Sequence, residues 1–308
     1  MTKIIPRELI KHLEWVPGQD PPKKSAPIST PSIPKSRPVL QGAFSIDTLI
    51  KEGKPFYCTD EDDKGNSIGV ALSLQQAIEY AGTDGIVANM PYLIAGKSQA
   101  DKKNYLWGDW FTALSEENIG IDKSGSFVKA GAPVVITVHG GGILTSERIK
   151  QAYAEGLTKQ NAAKYTEDEF DNLLKGFLPN GESIQIYTVE DVKKGNIPDP
   201  FGKYAVALDF ETAKVTDSGY YKKKDFIKNP LVFARAGTLE HLEKYFDKAK
   251  DSDGDVGNYH RLDKIDYHQP QGRVLFVDFD CGGLFGNFNL NDVGRFVGVA
   301  PEAHGAKK

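Results

Sequence analysis

From about residue 40 the chain alternates short apolar runs with segments of helical period. Pro133-Val134-Val135-Ile136-Thr137-Val138 is the strongest strand, a nearly unbroken apolar run of the kind buried on both faces of a sheet. Two helices are expected after it. Ile149, Ala152, Tyr153 and Leu157 share a face of the first; in the second, Thr166 and Glu169 form a capping box ahead of Phe170, Leu173 and Leu174, with Gly176 as the stop. Upstream, residues 55–59 and 67–72 flank a polar Gly65-Asn66 turn and read as a hairpin. A helix should follow directly, with a Ser73/Gln76 capping box, Leu74, Ala77, Ile78 and Ala81 on one face, and Gly82 at its end. Residues 85–95 read as a strand broken by Pro91. Further strands are expected at 183–187, 204–208, 231–234, 274–277 and 295–299, and a helix at 239–250 with Leu239, Leu242, Phe246 and Ala249 facing inward. Strand 231–234, that helix and strand 274–277 are compatible with a right-handed crossover. The pattern predicts a mixed fold, α/β or α+β, with a central sheet, several flanking helices and a proline-rich N-terminal arm. The domain reading is an arm over 1–39 and a single mixed α/β globular domain over 40–308.

Composition separates the arm from the rest. Residues 1–40 hold eight of the 17 prolines and seven basic against three acidic side chains. Proline fixes φ and removes an amide donor, so 17–38 should be extended, with at most a short helix before it around 6–15. Pro31-Ser32-Ile33-Pro34 is the arm's Pro-x-x-Pro match and is compatible with docking, although a strap across the protein's own surface is the plainer reading. Over 308 residues, 40% hydrophobic and 26% charged content supports a sizeable core and excludes a disordered chain. The net charge of −4 argues against a duplex nucleic-acid binder. With Cys58 and Cys281 as the two cysteines there is no disulfide framework, and a cytoplasmic setting is expected. Charges interrupt each apolar stretch near the N-terminus, so neither a signal peptide nor a membrane span is expected.

Three constellations carry candidate chemistry. His139-Gly140-Gly141-Gly142, at the end of the strongest strand, resembles the His-Gly-Gly-Gly loop of the lipase and esterase branch of α/β-hydrolases. The resemblance implies His139 as a catalytic residue and Gly140, Gly141 and Gly142 as ligand-binding amides. Gly65-Asn66-Ser67-Ile68-Gly69 matches that family's nucleophile elbow by letters but precedes the loop, and Gly181-Glu182-Ser183-Ile184-Gln185 lacks the last glycine. The three glycines also suit a tight turn, or an amide nest for an anion without covalent catalysis.

The second constellation is acidic. Asp209 and Glu211 follow one predicted strand, and Asp278 and Asp280 follow another, each pair separated by Phe. On neighbouring strands these four carboxylates would converge and recruit Mg²⁺, Mn²⁺ or Ca²⁺; otherwise they are solvated or cap the next helix. Leu208-Asp209-Phe210-Glu211-Thr212 resembles the first motif of the DnaQ-like exonucleases, and Tyr259-His260-Arg261-Leu262-Asp263 offers that family's Tyr-x-x-x-Asp letters, although the intervening motif has no match. The third constellation, Asp251-Ser252-Asp253-Gly254-Asp255-Val256-Gly257, resembles a calcium loop, but Val256 and Leu262 stand where an EF-hand needs glycine and glutamate. His260 and His268 lie near Asp263 and Asp266, a spacing compatible with a metal or with proton transfer. Trp107 and Trp110 belong to an aromatic cluster that suits either a core or ring stacking on a ligand.

Two function classes follow. One is a hydrolase acting on a small or anionic substrate at loop 139–142, aided by Asp209 and Asp278. The other is a non-catalytic binding or self-assembling structural protein, a homo-oligomer with the arm as strap. At the level of sequence, whether the chain is an enzyme stays open.

Overall fold

The computed structural model describes residues 44–301 apart from Lys64, Asn66, Thr216, Phe279, Asp280, Cys281 and Phe288. The arm over 17–38, the helix expected at 6–15, Asp280 and Cys281 therefore lie outside the described residues. The described chain is a mixed α/β structure built on a large sheet. Its central strand, β3 (Phe111–Asp122), is not visible in the local pattern, because Ser115, Glu116, Glu117 and Asn118 interrupt the apolar positions. All four are buried. Each has a buried partner, which removes the penalty of placing a polar group in a core.

Around β3 the sheet runs in the order β6 (Gln185–Thr188), β7 (Tyr204–Asp209), β4 (Ala132–His139), β3, β10 (Gln271–Val277), β11 (Leu284–Phe285), β9 (Asp255–Tyr259) and β8 (Gly219–Lys222), with β5 (Ala163–Lys164) beside the start of β10. Strands β7, β4, β3 and β10 are successively antiparallel. A smaller sheet, entered from the helix α1 (Ile46–Glu52), places β12 (Gly294–Val299) between β1 (Lys54–Cys58) and β2 (Ile86–Val87). Alternation sorts the side chains of the large sheet onto two faces. On one, Ile119, Val135, Val206 and Leu275 pack in a core with α3 (Met90–Gln99), α6 (Pro230–Ala236) and α7 (Leu242–Ala249). On the other, Val134, Ile136, Ala205 and Val274 meet α2 (Gly69–Ala81), α4 (Ser146–Glu155) and α5 (Glu167–Leu174).

The expected capping box of Thr166 and Glu169 opens α5, and Gly82 closes α2 with φ +67°. Four expectations are corrected. Residues 67–72 are not the second strand of a hairpin: β1 pairs with β12, and α2 already begins at Gly69, where a Cβ would stand 2.3 Å from the Cys58 carbonyl oxygen. Ser73 lies inside that helix and donates to the Gly69 carbonyl at 2.6 Å, so it is not a cap. Residues 85–95 hold the short β2 and then α3, whose cap is Asn89 and whose first turn contains Pro91, where a missing N–H costs nothing. Residues 231–234 belong to α6, capped by Asn229 with Pro230 in its first turn; apolar on every side because it is buried, it mimics a strand, and the crossover built on it does not exist. Among the described residues no helix is long and apolar enough to cross a membrane.

Candidate functional site

The glycine loop holds an anion nest that the chain fills itself. Gly140 and Gly141 have φ of +75° and +110°, which lets the backbone turn out of β4 toward α4. The Gly140 amide donates to the Leu114 carbonyl, and the next two amides after the glycines, Ile143 and Leu144, donate to the two carboxylate oxygens of Glu116 at 2.8 Å each. Gly142 is needed for this approach, since a Cβ there would lie 2.2 Å from Glu116 Oε1. Burial pushes the Glu116 carboxyl up, and the hydrogen bonds from Leu144, Ile143 and Asn118 oppose that shift. Gly141 and Gly142 border an open groove of about 440 Å³ whose walls include Leu74, Ile78, Leu144 and Leu178.

His139 is a structural residue, fully buried on the opposite face. Its Nε2 lies 2.9 Å from the Ala234 carbonyl, which can only accept, so the proton sits on Nε2 and Nδ1 accepts from the Ser115 hydroxyl at 2.8 Å. Ser115 Oγ in turn accepts from the Met90 amide. Burial holds the imidazole pKa down to about 4. With both ring nitrogens occupied and no exposed edge, His139 has no access to a substrate.

Among the described acids, Asp209, Glu211 and Asp278 do not converge. Asp209 caps the helix Phe210–Lys214 by accepting from the Thr212 amide and hydroxyl, and Glu211 sits exposed in that helix's first turn. Asp209 stands opposite Val134 and hence level with Gly120, whereas Asp278 follows Val277, which is paired with Phe111. The two aspartates therefore lie at opposite ends of the sheet, roughly 30 Å apart along β3. They are separated because β7 and β10 run in opposite directions with β4 and β3 between them. In the 251–257 loop, Asp251 accepts from the Asp253 and Asp255 amides while Lys222 bonds the Asp253 carbonyl and the Asp255 carboxylate. His260 is buried and accepts from the Leu262 amide, and His268 is exposed. Among the described residues no three His, Cys, Asp or Glu side chains are placed to hold a metal ion.

A different feature emerges on the second face, past its core. Where β10, β11, β9 and β8 fan out, their inward side chains Val277, Leu284, Asn258 and Val256 are buried, and the alternate positions carry aromatic rings. Phe276 stacks on Phe285 at 4.6 Å and Phe285 on Tyr259 at 4.8 Å, with interplanar angles of 22° and 9°. Tyr220 meets Tyr259 edge-on at 5.6 Å. At the other end Trp110 touches Phe276 and Tyr57 edge-on, and the Arg295 guanidinium lies 4.5 Å from the Tyr57 ring centre while pairing with Asp109. Tyr57 and Tyr220 are 50% and 54% exposed, and the rings between them are half-buried. The six connected rings thus run from Tyr57 on β1 of the smaller sheet through Trp110, which precedes β3, to β10, β11, β9 and β8 of the large one, at half-exposed positions that are ordinarily polar. Of these, sequence reasoning named Trp110 as part of an aromatic cluster and Tyr259 only as the first letter of a Tyr-x-x-x-Asp motif. Trp107 is a core residue stacked on Tyr245.

No protein-family model matches this chain, and no curated protein matches it. A solved structure reported under the words "Accommodation of massive sequence variation in Nanoarchaeota by the C-type lectin fold" is similar over 81% of this chain and 98% of its own, with a TM-score of 0.59 and 27% identity. That likeness overturns the hydrolase reading at the His-Gly-Gly-Gly loop: the neighbour has a C-type lectin fold, a binding fold. The buried His139 and the self-filled amide nest give the physical reason.

Proposed function

We propose that the chain is a non-catalytic binding protein that contacts a protein partner through the aromatic run from Tyr57 to Tyr220. The observation that carries this reading is the connected set of six half-exposed rings. Tyr, Trp and Arg are the side chains that dominate protein interfaces. The stacked faces of Phe276, Phe285 and Tyr259 are spent on one another, so they turn edges outward; a sugar ring would need an open ring face, whereas a partner's apolar side chains need only apolar area. The neighbour's fold supports a binding role, and its reported accommodation of sequence variation suits side chains that point away from the core. A second reading seats a small apolar ligand in the groove beside Gly140, Gly141 and Gly142, favoured by its volume of about 440 Å³.

The ligand class is tested by screening the full chain against a glycan array and a displayed peptide library, in parallel with a Tyr57→Ala, Tyr220→Ala variant. Both side chains are at least half exposed, so the variant should keep its fold. Selected peptides should bind the variant at least about tenfold more weakly, equivalent to about 1.4 kcal/mol. Glycan binding that the variant loses would assign the face to carbohydrate, and equal peptide binding by both proteins would remove the face from the account.

A further inference from the structure

On the second face of the large sheet the helix layer stops short of the rings. The core under α2, α4 and α5 reaches Val274 of β10 and includes no residue of β11, β9 or β8. The six rings are members of neither hydrophobic core, and the four that are half-buried pack against neither. A sheet face is ordinarily closed by a packed layer, and none of the described residues supplies one here. The rings form a row across successive strands. From Tyr57 to Tyr220 their centroids follow one another at 6.4, 6.3, 4.6, 4.8 and 5.6 Å. These spacings bracket the helix pitch of about 5.4 Å and fall short of the roughly 6.7 Å between same-face residues of a strand. A helix of about 18 residues is about 27 Å long and reaches along the whole row.

Charge distinguishes the two ends. The chain runs from Tyr57 into Asp60-Glu61-Asp62-Asp63, and three residues of extended backbone keep Asp60 within about 11 Å of Tyr57. Asp60, Glu61 and Asp63 are exposed and form no ion pair among the described residues. Beyond Tyr220 the next cations are already paired, Lys222 with Asp255 and Lys223 with Asp247 and Glu243. We propose that the aromatic row takes an amphipathic helix of a protein partner, with an apolar side chain per turn seated along the rings and Lys or Arg at the end that lies over Asp60, Glu61 and Asp63. This rests on the reading of the ring surface as a protein contact and adds to it the partner's conformation and charge. The apolar anchors recur at i, i+3 or i+4 and i+7, and the basic end sets the direction in which the helix lies.

Peptides selected by display on the full chain test this. They should show that apolar repeat with Lys or Arg at one end, and gain helical circular dichroism on binding the unaltered protein. An Asp60→Lys, Glu61→Lys, Asp63→Lys variant should bind them about tenfold more weakly at low salt and much nearer to normal at high salt, because exposed charges are screened. Its three sites are exposed, so its Tm should match that of the unaltered protein. Tyr57→Ala, Tyr220→Ala should weaken binding at both salts. Peptides that bind without becoming helical, or that ignore the charge reversal at low salt, overturn the proposal; if the tyrosine variant still loses them, the ring surface stands as a protein contact without it. Peptides that neither variant affects, or a selection that yields no binder, remove both.

Discussion

Replacing Glu117 by Ala should cost about 3–5 kcal/mol of stability, because it leaves the Arg235 guanidinium buried without its carboxylate. Arg235 is fully buried and Glu117 is 1% exposed, so water cannot take over the lost partner. The pair also joins distant parts of the fold: Arg235 of α6 reaches β3 through Glu117, β9 through Asn258 and Tyr259, and β11 through Leu284. Urea unfolding should show a large drop in midpoint with little change in slope. Exposed pairs such as Lys51 with Asp47 supply the contrast, since breaking them should change stability by less than about 1 kcal/mol. A loss below that level for Glu117→Ala would mean that the buried charges are compensated in another way.

Acid should weaken the fold through His139. Its folded pKa lies near 4 against an ordinary value of 6.5, so between these values the unfolded chain binds a proton that the folded chain refuses. The stabilisation from neutral His139 is fully present above about pH 6.5 and is lost as pH falls toward about 4, amounting to about 3 kcal/mol. Protonation would also place a proton on Nδ1, where the Ser115 hydroxyl now donates. Stability curves of the unaltered protein and of His139→Gln, measured by urea unfolding from pH 7.5 to 4, should converge as the pH falls. Parallel curves would contradict the buried neutral imidazole.

What the sequence reveals of this fold follows the range of the forces involved. The α5 capping box, the Gly82 stop and the apolar run of β4 are set by residues within a few positions of one another, and all were legible. β3 was not, because Ser115, Glu116, Glu117 and Asn118 read as surface until their partners appear. Those partners come from His139, the Ile143 and Leu144 amides, Arg235 and Tyr165, all distant along the chain. α6 was misread for the opposite reason: complete burial erases the helical period that marks a half-exposed helix. The His-Gly-Gly-Gly letters suggested an anion nest, and one exists, but the carboxylate in it comes from β3. The aromatic surface had no local signature, since its rings come from six separate stretches of chain and meet only after the sheet is assembled.

The central claim is that binding occurs on the aromatic face and not at the glycine loop. Hydroxyl-radical footprinting of the full chain, with and without a peptide selected against it, tests that claim most directly because Trp, Tyr and Phe side chains report their own exposure. The account predicts that Tyr57, Trp110 and Tyr220 lose reactivity in the complex while Ile78 and Leu178 of the groove keep theirs. Unchanged reactivity at the three aromatic positions, with protection confined to Ile78 and Leu178, would contradict it.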